Sequence, residues 1–153
     1  MAVAICGMAE GRELPEGCEL WGMPWDKDWI RMDLMFDMHH PSLLTDSHIE
    51  RLKEIWAPLY MQDEFYPNVK AYPLEEVIQS VGDYFACSVS YMLALAIYQG
   101  VKEIILTGVT GSEDYSSQRP SIEYFIGLAR GKGLSVEILG ETDLFSGKRY
   151  GYI

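Results

Sequence analysis

Positive charge is scarce in this chain: 12 Lys and Arg stand against 23 Asp and Glu, a formal net charge of -11 over 153 residues with the histidines neutral. Such a surface repels a phosphate backbone and excludes nucleic-acid binding driven by bulk charge. No apolar run reaches the roughly 18 residues of a membrane-crossing helix, so no membrane partner is expected. The opening Met1-Ala2-Val3-Ala4-Ile5-Cys6 has no basic stretch ahead of its short apolar run and does not read as a signal peptide. Cysteine is also rare. Cys6, Cys18 and Cys87 are odd in number and widely spaced, which excludes a disulfide framework and a CxxC site and points to reduced thiols in a cytoplasmic setting.

Several signatures of chemistry are missing as well. There is no G-x-G-x-x-G dinucleotide fingerprint, no P-loop and no G-x-S-x-G elbow. HExxH, paired-cysteine and EF-hand spacings are absent too, so no structural metal is expected.

What is present is an ordinary folded composition, 48% hydrophobic and 23% charged, at a length that suits one domain spanning 1–153. The charge is lopsided. Residues 1–83 hold 16 acids and 6 bases, whereas residues 84–153 hold 7 acids and 6 bases. A bound anion is therefore expected mainly against the second half, near Lys102, Arg119, Arg130, Lys132, Lys148 and Arg149.

Ala2–Cys6 reads as a buried strand ended by Gly7, Cys18–Met23 as a second strand and Asp33–Met38 as a third. Asp46 or Ser47 caps a helix through Trp56, with Ile49, Leu52, Ile55 and Trp56 on one face. Leu59–Met61 and Val69–Tyr72 are short extended segments. Pro73 opens a short helix that Gly82 stops, and Ser88–Gln99, apolar nearly all round, reads as a buried helix closed by Gly100. Lys102–Thr107 is a strand buried on both faces, Pro120–Arg130 a helix and Leu134–Leu139 the last strand, followed by a tail lying on the surface. Helix, strand, helix, strand with glycine turns predicts a three-layer, Rossmann-like α/β domain with a mainly parallel sheet.

In such sheets ligands bind beyond the carboxyl ends of the strands. Three segments fall there. Gly7-Met8-Ala9-Glu10-Gly11 is either a plain turn or a place of close ligand approach, with Gly7 and Met8 at its tip. Ser88 and Ser90 stand at the start of the buried helix, where short hydroxyls and free N–H groups form an anion cradle or simply cap the helix. The polar loop from Gly108 and Thr110 through Tyr115 and Gln118 ends at Arg119, whose charge opposes the dipole of the following helix. An anion there would remove the conflict; a salt bridge to Glu123 is the alternative. Asp37 and His39 share one face of the third strand and form a candidate acid–base pair, the alternative being a structural histidine satisfied by its neighbours. Trp21, Trp25 and Trp29 line a base-binding pocket or belong to core or interface.

The run Ser88-Val89-Ser90-Tyr91-Met92-Leu93-Ala94-Leu95-Ala96, followed by Gly100-Val101-Lys102-Glu103-Ile104-Ile105-Leu106-Thr107-Gly108, resembles a block of the 6-hydroxymethylpterin diphosphokinase-like (MptE-like) Rossmann proteins. Together with Gln118-Arg119-Pro120-Ser121-Ile122-Glu123-Tyr124-Phe125-Ile126-Gly127-Leu128-Ala129-Arg130-Gly131, it looks closer still to short Rossmann-like proteins of bacteriophages, which would place the chain in a host cytoplasm. The chain departs from the larger family where Cys6-Gly7-Met8-Ala9-Glu10-Gly11 replaces a G-x-G-P-S-L turn and where Thr110 replaces an acid. The resemblance implies the fold and the place of the ligand site rather than diphosphokinase activity.

The expectation is a small protein that binds a nucleotide or other phosphorylated metabolite at Gly7, Met8, Ser88, Ser90, Gly108, Thr110 and Arg119. If it is an enzyme, it is a transferase of phosphoryl, diphosphoryl or glycosyl type, with magnesium entering for phosphoryl transfer. The alternatives are a binder without turnover, such as a phage protein sequestering a host nucleotide signal, and an assembly protein that forms a homo-oligomer through its tryptophans and methionines.

Overall fold

A computed structural model describes residues 1–112 and 116–152. Its framework is a seven-stranded sheet made of β1 (Ala2–Cys6), β2 (Glu19–Gly22), β3 (Leu34–Phe36), β4 (Leu59–Met61), β5 (Val69–Ala71), β6 (Glu103–Thr107) and β7 (Ser135–Leu139). Every neighbouring pair is parallel, in the order β5-β4-β3-β2-β1-β6-β7. The α-helices are α1 (Asp46–Glu54), α2 (Leu74–Val81), α3 (Ser88–Tyr98) and α4 (Arg119–Gly131). The Rossmann-like α/β class expected from the sequence is the one observed.

The strands are apolar because both faces of the sheet centre are covered. Along β1, Val3 and Ile5 turn to the cluster packed with α2, α3 and α4, while Ala4 and Cys6 turn to a second cluster with Leu52 of α1. α3 buries Val89 and Ser90 and every residue from Met92 to Ile97, which accounts for its apolar circumference. Gly100, at φ 75°, follows its last turn, a conformation that glycine adopts without a Cβ penalty.

Three local expectations are corrected. The side-chain cap of α1 is Thr45, whose Oγ1 accepts from His48 N at 3.3 Å, and neither Asp46 nor Ser47 serves. The same helix ends at Glu54; Ile55 turns extended and buries its side chain, which leaves Trp56 off the helix face and 93% exposed. The third strand is also shorter than predicted. Its flanking acids are tied elsewhere, with Asp33 Oδ2 accepting from Leu20 N at 2.8 Å and Asp37 Oδ1 accepting from His39 N at 3.1 Å.

From β1 the chain steps outward to β5, then returns through α2 and α3 to place β6 on the other side of β1. The strand order therefore reverses between β1 and β6. At such a reversal the loops leaving the two strands part in opposite directions and open a crevice.

Candidate ligand-binding site

At that crevice the two backbones nearly touch. A Cβ placed on Gly7 would stand 2.3 Å from Gly108 O, and one on Gly108 would stand 2.6 Å from Gly7 O. Gly7 N donates to Thr107 O at 2.8 Å and Ala9 N to Gly108 O at 3.2 Å, so the seam is also hydrogen-bonded. Glycine is required at both positions by this contact, and Gly108 further has φ 69°.

Above the seam lies a cavity of about 620 Å³, within the usual size of small-molecule sites. Gly7, Met8 and Ala9 bound it from β1, Met23 and Trp25 from β2, and Met38 and His39 from β3. The start of α3 adds Cys87, Ser88 and Val89, and the loop after β6 adds Gly108 to Gly111. Of the residues singled out in the sequence, Gly7, Met8, Ser88, Gly108, Thr110 and His39 come together here.

Ser90, Arg119 and Asp37 do not line it. Ser90 is buried and spends its hydroxyl on its own helix start, donating to Cys87 O at 2.6 Å and accepting from Cys87 N at 3.3 Å. Cys87, rather than Ser88, is the N-cap; its thiol donates to Ser90 Oγ at 3.8 Å, and Ser88 lines the cavity. Arg119 pairs with Glu123 through Nε at 2.9 Å and donates to Ser146 Oγ at 3.4 Å. The conflict between its charge and the helix dipole is thus met by a carboxylate one turn along, the alternative the sequence left open. Tyr115, in the same loop, lies outside the described residues.

Asp37 is buried and contacts His39, which lines the cavity. His39 Nδ1 and Asp37 Oδ1 are hydrogen-bonded at 2.9 Å, and the imidazole is half-exposed. The second carboxylate oxygen of Asp37 has no hydrogen-bond partner among the described residues. Trp25 stands beside His39 at 5.4 Å between ring centroids and beside His48 of α1 at 5.0 Å, so one indole wall is fixed between two imidazoles. The three neighbouring tryptophans separate: Trp21 packs on Phe36 in the core, Trp29 lies under Arg51, and Trp25 alone of them lines the cavity. Opposite stand Phe85 and Tyr91, stacked at 4.4 Å. Burial, reinforced by the charge of Asp83, holds the Tyr91 phenol above its ordinary range, so it stays protonated and neutral.

Arg12 is the residue that sequence reasoning missed. Its Nη1 donates to Gly7 O at 2.7 Å, while Nη2 reaches Asp26 Oδ1 at 2.5 Å and Asp28 Oδ2 at 3.0 Å. Its Cδ also stands where a Cβ on Gly108 would go. One buried guanidinium therefore ties the loops after β1, β2 and β6 together. Burial opposes its charge, but the hydrogen bond and charge of Asp26 outweigh that cost and raise its pKa. Nothing in the local sequence marks Arg12, because its partners lie 14 and 16 residues away. The loop after β6 is held from behind as well. Thr142 Oγ1 donates to Val109 O and Thr110 O, both at 3.2 Å, and Leu144 is buried against Gly111, so this part of the tail packs into the molecule.

Among the described residues the lining carries no Lys, Arg, Asp or Glu side chain, and no three His, Cys, Asp or Glu side chains gather where a metal ion could sit. These residues offer magnesium no carboxylate ligand. No helix of the described residues is long and apolar enough to cross a membrane.

No protein-family model and no curated protein matches the sequence. Solved structures of similar fold include the sialyltransferase CstII from Campylobacter jejuni in complex with cytidine 5′-monophosphate, at 17% identity and a TM-score of 0.59, covering 90% of this chain and 79% of that one. The CstII complex with a trisaccharide acceptor and CMP aligns at 12% identity and a TM-score of 0.60, covering 97% of this chain and 89% of that one. At these identities the likeness shows a shared fold, the Rossmann-like α/β sheet.

Proposed function

We propose that the cavity over the Gly7–Gly108 seam binds a nucleotide or a nucleotide-like phosphorylated metabolite, and that the protein transfers a group from it. The observation that carries this reading is the place of the cavity. It sits where the strand order reverses, with two strand-end backbones and a helix start exposed to one space. A planar base fits between Trp25 and the methionines Met8, Met23 and Met38, whose soft sulfurs pack well on aromatic rings. Ser88 and Val89, at the first turn of α3, supply backbone donors for the phosphate. The likeness of the fold to a transferase holding CMP supports both the ligand class and a glycosyl-transfer reaction.

In that reaction His39 is the acid–base group. Asp37 fixes its tautomer, and Nε2 accepts the proton of an incoming hydroxyl. A second reading, retention of the nucleotide without turnover, draws on the same lining: His39 is the one imidazole or carboxyl group on it among the described residues.

The experiment is a thermal-shift screen against nucleotides, cyclic nucleotides, sugar nucleotides and pterins, with and without magnesium, followed by product analysis of each hit. Ligand at about 100 times its Kd adds ~2.7 kcal/mol of stability. For the transferase, His39→Ala abolishes product while keeping the thermal shift. A hit that yields no product with the unaltered chain establishes the binder, and no hit in any class sinks both readings.

A further inference from the structure

We infer that residues 147–152 of one copy dock on the face around Trp56 of a second copy, which gives a salt-sensitive, head-to-tail association. This contact lies away from the cavity and is independent of the nucleotide reading.

Trp56 defines the receiving face. Its indole is 93% exposed, yet the backbone that carries it is fixed on both sides. Ile55 is buried, its carbonyl accepts from Asn68 Nδ2 at 3.0 Å, and Pro58 O accepts from Met35 N at 2.9 Å. A large ring held outward on a fixed frame loses little further freedom when a partner covers it. The surroundings are acidic. Glu50 and Glu54 lie on α1 just before Trp56, and the loop after β4, which returns to this corner through Asn68, adds the exposed Asp63 and Glu64. Residues 46–64 hold five acids against Arg51 and Lys53, and those two bases meet Glu54 and Glu50 in solvent-facing i,i+3 pairs worth little.

The docking segment has the complementary make-up. Residues 147–152 contain Lys148, Arg149 and two tyrosines, and no acid. Tyr150 is 100% exposed and Tyr152 72%. The segment is already folded into a turn, with Tyr152 N donating to Arg149 O at 3.2 Å and the Arg149 guanidinium 5.1 Å from the Tyr152 ring centre. Among aromatic rings indole attracts a cation most strongly, and carboxylates beside it add to the attraction.

The two patches stand on opposite sides of the sheet. Trp56 leads into β4, next to the β5 edge. The tail is tied to the β7 edge by Arg130, which donates to Val136 O at 2.9 Å and lies 5.6 Å from the Phe145 ring centre. Five strand intervals separate β4 from β7, a span of about 24 Å. Each copy therefore offers one donor patch and one acceptor patch, the arrangement of a heterologous contact. Two Trp56 faces brought together would instead set acid against acid.

Sedimentation equilibrium of the full chain at about 10 and about 200 μM, in about 20 mM and about 500 mM sodium chloride, tests it. At low salt the mean mass is expected to exceed that of one chain and to grow with concentration. High salt is expected to weaken the apparent Kd at least about tenfold. Trp56→Ala and the double variant Lys148→Glu with Arg149→Glu are each expected to sediment as single chains. Their equimolar mixture is expected to form pairs, since the first keeps the docking segment and the second keeps the face. Both variants change exposed side chains, and urea unfolding like that of the unaltered chain shows that they are folded. An unaltered chain that stays monomeric at the higher concentration and low salt overturns the inference. Association that persists in either variant alone, or a mixture that forms no pairs, overturns it as well.

Discussion

The sheet is held differently on the two sides of its switch point. β6 and β7 are backed by α3 and α4, whose apolar faces meet in one continuous cluster that includes Met92, Leu93, Ile122, Phe125 and Ile126. From β1 to β3 the chain runs through long loops with no α-helix, and there the joints are polar. Arg12 binds Gly7, Asp26 and Asp28, Asp33 binds Leu20, and Arg51 donates to Pro24 O at 3.0 Å. Packing of apolar faces is non-directional and fixes whole elements, whereas a guanidinium with two or three partners fixes particular loop atoms. The cavity lies across this divide, with one wall carried by helices and the other by loops that buried charge holds in place.

This comparison sets the order of expected effects. The largest falls on the helical side. Phe125→Ala empties a fully buried ring position between α3 and α4 and is expected to cost about 3–5 kcal/mol in urea unfolding. Next comes the charged joint. Arg12→Met leaves the Asp26 carboxylate buried without its partner and is expected to cost about 3 kcal/mol, while the double variant Arg12→Met with Asp26→Leu recovers part of that loss. Equal losses in the single and double variants would show that the joint works by packing, which would erase the distinction between the two sides.

A third test uses alkali. Burial, the largest cause, raises the Cys6 thiol from 9.0 to about 12, and Tyr72 and Tyr91 are raised in the same direction by burial. The unfolded chain releases these protons first. Stability is therefore full below pH 9, and the Cys6 part is lost as pH rises from 9.0 toward about 12. Melting temperatures across that range are expected to fall less steeply for Cys6→Ala than for the unaltered chain. The smallest effect belongs to the surface pair. Arg119→Ala breaks a partly exposed ion pair with Glu123 and is expected to stay within about 0.5 kcal/mol. Binding of any nucleotide hit is expected to be unchanged in that variant, because the guanidinium does not line the cavity.

The two sides also differ in how far the sequence discloses them. Periodicity and punctuation place α3, α4, β6 and β7 within a residue or two, because glycines and prolines mark their ends and their apolar patterns are long. On the loop side Asp33–Met38 is longer than the strand it contains, and Trp21, Trp25 and Trp29, evenly spaced, part to three environments. The site divides in the same way. Gly7, Ser88, Gly108 and Thr110 follow from the rule that loops at strand ends hold ligands. Ser90 and Arg119 have suitable chemistry, but local partners take them, one through a cap and the other through an i,i+4 pair. Arg12 escaped notice because its role comes from long-range pairing with Asp26, and no periodicity carries that.

The central claim is that a nucleotide phosphate sits over the Gly7–Gly108 seam, against the start of α3. Amide NMR of the labelled chain during titration with CMP tests it most directly. The expected result is a shared, saturable shift of the Met8, Ser88, Val89 and Thr110 amides together with the Trp25 indole N–H. Shifts confined to residues outside the cavity, such as Glu137 of β7 or Trp56 after α1, would contradict the account.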